Sequence, residues 1–382
     1  MATFNGTSID DTYTGGSAND TINGFGGNDT LSGGGGADRI DGGTGTDTMA
    51  GGTGNDIFTV DNVGDIVIEY ADEGRDQVKT SLTSYTIPDH VEKLLFTTTA
   101  AVIGTGNAEN NEIMTAAGGS ATDYLYGLDG YDTLWGGGGA DYLYGGNHDD
   151  ILIGEGGADY MEGNTGDDGY MVDSLSDVVF EQSGEGIDVI YSALATYTLP
   201  AEVEDLRYNS FGTNFNFTGN DIDNKIYGGG GNDTLSGLEG NDELRGEAGA
   251  DTLYGGDGDD LLIGGGGASA DTLTGGASAD TFRIGFYESG TGSGADRITD
   301  FESGIDLIDV SAWDADNTQP DDQSFFFIDD APFDSTPGRL RYEYDSNTDT
   351  TVIQGDLNGD NTADFEIRLD GYIMLASNDF LL

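Results

Sequence analysis

Residues 15–59 read GGSANDTIN-GFGGNDTLS-GGGGADRID-GGTGTDTMA-GGTGNDIFT and divide without remainder into units of nine. Each unit approximates Gly-Gly-x-Gly-x-Asp-x-U-x, where U is apolar. The sixth place holds Asp20, Asp29, Asp38, Asp47 and Asp56, and the eighth holds Ile22, Leu31, Ile40, Met49 and Phe58. Glycines at the first, second and fourth places permit turn angles that a side chain resists. The three residues after the Asp alternate outward, inward, outward, as a short strand does. One unit therefore makes one turn plus one strand, and two units complete a flattened coil of roughly eighteen residues. Stacking such coils at about 4.8 Å brings turns i and i+18 together, so their aspartates meet. Carboxylate and carbonyl oxygens converging between turns are hard donors of the kind Ca²⁺ takes, about six to eight at roughly 2.3–2.6 Å. Without a cation the same aspartates repel. A flexible glycine-rich linker would supply Gly and Asp, but not an apolar residue fixed at every eighth place.

The pattern extends outward in three blocks. In the first, residues 6–14 already place Asp11 sixth and Tyr13 eighth. The second, residues 118–171, carries Asp123, Asp132, Asp141, Asp150, Asp159 and Asp168, over Leu125, Leu134, Leu143, Leu152, Met161 and Tyr170. The third, residues 228–283, carries Asp233, Asp242, Asp251, Asp260, Asp271 and Asp280, over Leu235, Leu244, Leu253, Leu262, Leu273 and Phe282. One unit there, GGGGASADTLT, is too long and is expected to bulge a single turn.

Between the blocks the rhythm lapses. VDNVGDIVIEYADEGRDQVKTSLTSYTIPDHVEKLLF (60–96) returns about 112 residues later as VDSLSDVVFEQSGEGIDVIYSALATYTLPAEVEDLRY (172–208), with Asp61 matching Asp173, Tyr85 matching Tyr197 and Pro88 matching Pro200. The chain thus contains an internal duplication. Strands recurring at coil-length intervals make these spacers wider, metal-free rungs of one solenoid. Re-entry is through GNAENNEIM (106–114) and GNDIDNKIY (219–227), where Asn111 and Asn224 stand at the acid place and lend an oxygen without a charge. Pro88 and Pro200 lie in the spacers, and Pro320, Pro332 and Pro337 lie beyond the last repeat. A buried ladder excludes a residue that lacks its N–H donor. The expected map is calcium blocks at 1–59, 106–171 and 219–283, spacers at 60–105 and 172–218, and a cap at 284–382.

The 382 residues carry a formal net charge of −60, with 66 Gly, 12 Lys+Arg and no Cys. Such acidity repels nucleic acid and anionic membrane. The absence of cysteine excludes a disulfide framework or thiolate site. No run has the length of a transmembrane helix. The start, MATFNGTSIDD, has neither a basic segment nor an apolar core, so no signal peptide for general export is expected.

The nonapeptide resembles the RTX, or haemolysin-type, calcium-binding repeat. The last hundred residues differ: glycine falls, aromatics rise and RLRYEYD alternates. DRITDFESGIDLIDVS (296–311), GRLRYEYD, GDLNGDNTADFEIRL (355–369) and the terminal DFLL resemble the end of serralysin-type secreted metalloproteases, whose calcium roll is closed by a cap. The terminal acid followed by bulky apolar residues is similar to the uncleaved signal of type I export substrates. That resemblance implies secretion or display at the cell surface through a type I exporter. It does not extend to the zinc site. The histidines, His90 and His148, stand far apart without a His-Glu-x-x-His motif, and no Gly-x-Ser-x-Gly elbow or phosphate loop occurs.

Two further features stand out. Asp356, Asn358, Asp360 and Asp364 have the oxygen spacing of an EF-hand loop, but Asn361 and Ile367 occupy its glycine and bidentate Glu places. A tight turn is the better reading. Tyr124, Tyr142 and Tyr160 recur at coil spacing and are expected to stack on one outer face, with Tyr126 and Tyr144 beside them, as a surface for glycan, self-association or intramolecular packing.

The sequence therefore predicts an all-β, right-handed parallel β-roll or β-solenoid with a β-rich cap, binding about a dozen Ca²⁺ if each interval between stacked turns takes one ion. It implies a secreted, non-enzymatic calcium-binding protein of a surface layer, matrix or adhesion system. The alternatives are the accessory half of an exported protease, or a glycan-active extracellular protein.

Overall fold

The computed structural model describes residues 3–210, 212–266, 269–285, 289–316, 319 and 323–382. The chain is all-β and forms two units, Met1–Asp188 and Val189–Leu382.

In the first unit each nonapeptide folds as one turn and one short strand. Thr21–Asn23 pairs in parallel with Thr3–Asn5 before it and Arg39–Asp41 after it, with Ile22 opposite Phe4 and Ile40. The intervening repeats build the facing sheet, where Thr12–Thr14, Thr30–Gly35 and Thr48–Thr53 pair in the same register. Both sheets turn their eighth-place residues inward: Ile22, Leu31, Ile40, Met49 and Phe58 are buried, as are their counterparts Leu125 to Tyr170. The core is thus a column with one apolar side chain per repeat and face, stacked between strands about 4.8 Å apart.

The spacer continues the first of these sheets. Gln77–Thr80 pairs with Ile57–Val60 and Lys93–Phe96, which pairs in turn with Glu112–Met114 at the head of the second block. Here the coil step varies from 16 to 21 residues, against 18 within the first block, so the spacer rungs are irregular rather than uniformly wider.

In the second unit Val189–Ser192, Asp205–Tyr208, Lys225–Tyr227, Glu243–Arg245 and Leu261–Ile263 stack in the same way. The lengthened unit GGGGASADTLT leaves the strands aligned: Leu253 faces Leu273 and Leu262 faces Phe282. The extra length falls between Ile263 and Asp271, where residues 267 and 268 lie outside the described set. The cap adds an antiparallel sheet, Arg339–Asp345 with Thr350–Asp356 with Phe365–Asp370, joined to the solenoid through Asp296–Ile298. Trp313 stacks on Phe365 with ring centroids 4.3 Å apart, and its Nε1 donates to Ile284 O at 2.7 Å. The terminal DFLL is part of this structure: Phe380–Leu381 pairs with Leu307–Asp309, covering a sheet edge that would otherwise stay open. No helix among the described residues is long and apolar enough to cross a membrane.

Candidate metal centre: an aspartate ladder

The sixth-place aspartates are buried, apart from the half-buried Asp11. Beyond Asp11 and Asp20, whose Oδ2 atoms accept from Thr7 and Gly16 in their own turns, the carboxylate is split between two tasks. Oδ1 accepts the backbone N–H of the aspartate one coil earlier: Asp11 N–H to Asp29 at 2.7 Å, Asp20 to Asp38 at 2.6 Å, Asp29 to Asp47 at 2.7 Å and Asp38 to Asp56 at 2.6 Å. The second block repeats this from Asp123 to Asp141 and Asp159, and from Asp132 to Asp150 and Asp168. The third runs from Asp233 to Asp251 and Asp271, and from Asp242 to Asp260 and Asp280. Two aspartate rows thus run along each block, one on each side of the coil.

The other oxygen, Oδ2, is buried and has no hydrogen-bond partner in Asp29, Asp38, Asp47, Asp56, Asp132, Asp141, Asp150, Asp159, Asp168, Asp233, Asp242, Asp251 and Asp260. Its surroundings explain the first glycine of the repeat. A Cβ added at Gly24 would lie under 3.0 Å from both Asp29 Oδ2 and the carbonyl oxygen of Gly42, one coil on. The same pair of oxygens converges beside Gly33, Gly127, Gly237, Gly246 and Gly255. None of these glycines has a positive φ, so the need here is for space. An orphaned carboxylate oxygen and a backbone carbonyl aimed at one point form a donor set for a hard divalent cation, and the residues present fit calcium.

Burial makes the cation-free ladder reluctant to ionise. Desolvation, partly offset by the N–H bond to Oδ1, pushes Asp56, Asp159, Asp168 and Asp251 up to about 6. It pushes Asp132, Asp141, Asp242, Asp260 and Asp280 to about 7, and Asp150 to about 8. Neighbouring carboxylates add to the rise, Asp132 and Asp168 acting on Asp150.

Asn111 and Asn224 close the rows at their start with neutral groups. Asn111 Oδ1 accepts from Asn107 N at 2.7 Å, and its Nδ2 donates to Asn107 Oδ1 at 3.0 Å. Asn224 repeats this with Asn220. The rows also run further than the repeat pattern indicates. Asp47 N–H bonds Asp65 at 3.0 Å and Asp56 N–H bonds Asp76 at 2.7 Å, while Asp159 and Asp168 bond Asp177 and Asp188. In the second unit Asp271 and Asp280 bond Asp296 and Asp306. Sequence reading missed these residues because the glycines around them are gone. The duplication held a usable signal, since Asp65 and Asp76 recur as Asp177 and Asp188.

The other candidates resolve more simply. Asp356 accepts from the N–H groups of Asn358, Gly359 and Asn361, and Asp364 from Leu357 N, so this loop is a hydrogen-bonded turn. Tyr124 and Tyr142 stack at 4.9 Å, Tyr126 and Tyr144 at 5.1 Å, and Tyr160 leans on Tyr142 at 5.8 Å. Tyr124 and Tyr142 are each 37% exposed, so this ladder faces outward. His90 contacts Glu109 at 2.6 Å, and His148 takes a turn position with φ 78°, where most repeats have glycine.

Residues 5–40, 24–58, 117–150 and 148–170 match the family model described as RTX calcium-binding nonapeptide repeat, and residues 210–382 match that of Peptidase M10 serralysin C terminal. The chain carries RTX repeats and a serralysin-type C-terminal region. The ladder in the first two blocks is therefore built on RTX calcium-binding repeats, and the third block and cap lie within the serralysin match. No curated protein matches the chain. Among solved structures it is similar to the solution structure of the AlgE6R3 subunit from the Azotobacter vinelandii mannuronan C5-epimerase, at 26% identity over 48% of this chain and 82% of that one, with a TM-score of 0.26.

Proposed function

We propose that this chain is a secreted, non-enzymatic calcium-binding protein that folds as it binds many Ca²⁺ outside the cell and serves a surface-layer, matrix or adhesion role. The observation that carries the reading is the row of buried, unpartnered Asp Oδ2 atoms, among which those of Asp29, Asp38, Asp132, Asp242, Asp251 and Asp260 are aimed at a place where a glycine carbonyl of the next coil also points. In a calcium-poor cytosol, clustered carboxylates disfavour the coil and leave the chain extended for threading through a type I exporter. Millimolar calcium outside binds only the folded rows and draws the equilibrium toward them. The outward tyrosine ladder supplies an aromatic face for a saccharide or a second copy. A second reading, the accessory half of an exported protease, has the serralysin C-terminal match in its favour.

Circular dichroism during calcium titration, with magnesium at equal ionic strength as the comparison, tests the folding step. A cooperative gain of β signal with calcium alone is the expected outcome. A chain fully folded in chelator at pH 8, or folded equally by magnesium, refutes calcium-gated folding.

A further inference from the structure

Where each of the first two blocks passes into its spacer, one row meets a residue foreign to the repeat. One coil beyond Gly51, in register where another first glycine is due, stands Glu69; one coil beyond Gly163 stands Glu181. Beside Gly33 the converging oxygens are Asp38 Oδ2 and the carbonyl of Gly51, whereas beside Gly51 they are Asp56 Oδ2 and Glu69 Oε1. The glutamate side chain thus puts an oxygen where the ladder elsewhere puts a backbone carbonyl. It is held there by the Gly51 N–H, which donates to Glu69 Oε1 at 2.8 Å.

The rest of the seam points the same way. Glu69 is only 6% exposed and its Oε2 has no partner; Asp76 is fully buried and its Oδ2 has none either, nor has Asp56 Oδ2. Asp56, Glu69 and Asp76 each bring one carboxylate oxygen within 4.8 Å of the others, and Asp168, Glu181 and Asp188 do the same. Two oxygens on opposite sides of a calcium ion bound at about 2.4 Å stand about 4.8 Å apart, so each trio spans one such ion. The arrangement occurs twice, at equivalent places in the duplication. In the second copy Tyr170, which replaces Phe58, adds a hydroxyl that accepts from Gly163 N at 2.7 Å and donates to Glu181.

We propose that Asp56, Glu69 and Asp76, and likewise Asp168, Glu181 and Asp188, each hold one further calcium ion at the seam between block and spacer. The proposal rests on the calcium reading of the ladder but concerns a different donor set: three carboxylates, with glutamate in place of the repeat carbonyl. Such an ion ties the first coil of the spacer to the last coil of the block, so the spacer's first coil is calcium-bound rather than metal-free.

Native mass spectrometry of the calcium-loaded full chain counts the ions. Glu69→Gln with Glu181→Gln keeps side-chain size and the acceptor for the glycine N–H while removing the charge. The double variant is expected to hold two fewer ions than the parent, and each single variant one fewer, at calcium concentrations that still fill the ladder. An unchanged count in a calcium-loaded variant overturns the seam sites alone. A parent that binds no calcium overturns the ladder reading as well. Should the variants fail to fold, anomalous diffraction from calcium-grown crystals of the unmodified chain decides the matter: a peak within each trio supports the proposal, and ladder peaks without one refute it.

Discussion

A repeat aspartate uses its two oxygens differently, and its glycine partner matters through space. Asp242 Oδ1 receives Asn224 N–H at 2.7 Å, while Oδ2 and the Gly255 carbonyl converge beside Gly237. Gly237→Ala is therefore expected to act on cation binding: its methyl would occupy the point where the oxygens meet, under 3.0 Å from each. Overpacking of this kind costs about 1–3 kcal/mol, so the calcium midpoint of folding should rise about tenfold, at roughly 1.4 kcal/mol per decade. Isothermal titration with calcium reads that shift. An unchanged midpoint would mean that the ion does not sit beside the first glycine.

At the scale of the element, each of the last two blocks begins on an amide and the first two end on a glutamate. Asn111 is satisfied without a cation, since Oδ1 accepts and Nδ2 donates within its own turn. Asn111→Asp removes that donor and sets a carboxylate against Asn107 Oδ1. Asn107 Oδ1 keeps the Glu109 N–H at 2.9 Å, but a buried carboxylate facing an acceptor oxygen without a donor between them costs about 1–3 kcal/mol, so the variant should melt several degrees lower at fixed calcium. An unchanged or raised melting temperature would show that the entry rung already tolerates charge. The coil itself was legible in the sequence, because nine-residue spacing fixes turn, strand and core residue together, and Asp29 or Leu31 can be read straight from the period. Less legible was the division of labour within each carboxylate, which depends on the N–H of a residue one coil away. Asp76 and Glu69 escaped the pattern for another reason. The step to Asp76 is 20 residues, and Glu69 stands in a glycine's place, so both break the rule that reveals the others.

For the molecule as a whole, burial and calcium demand act through one balance of charge. Folding without cations buries carboxylates whose proton affinity rises, to about 6 for Asp56 and Asp251, about 7 for Asp141 and Asp260, and about 8 for Asp150. A group whose folded pKa is raised binds its proton more tightly in the folded state. Its contribution to the cation-free fold is fully present below the unfolded value near 3.8 and is lost as pH rises through about 6 to 8. In buffer stripped of divalent ions, the chain should therefore show its β signal near pH 5 or below and lose it toward pH 8. Calcium removes the slope, because ions replace the protons that ionisation releases. The calcium needed for folding should accordingly rise as pH rises from about 5.5 to 8, because protons cease to support the rows, and with millimolar calcium the β signal should persist at pH 8. Circular dichroism across that pH range, with and without calcium, reads both effects in one set of samples. A cation-free chain equally folded at pH 5 and pH 8 would mean that the buried carboxylates do not set the calcium requirement, and the link between −60 net charge and calcium-gated folding would have to be abandoned.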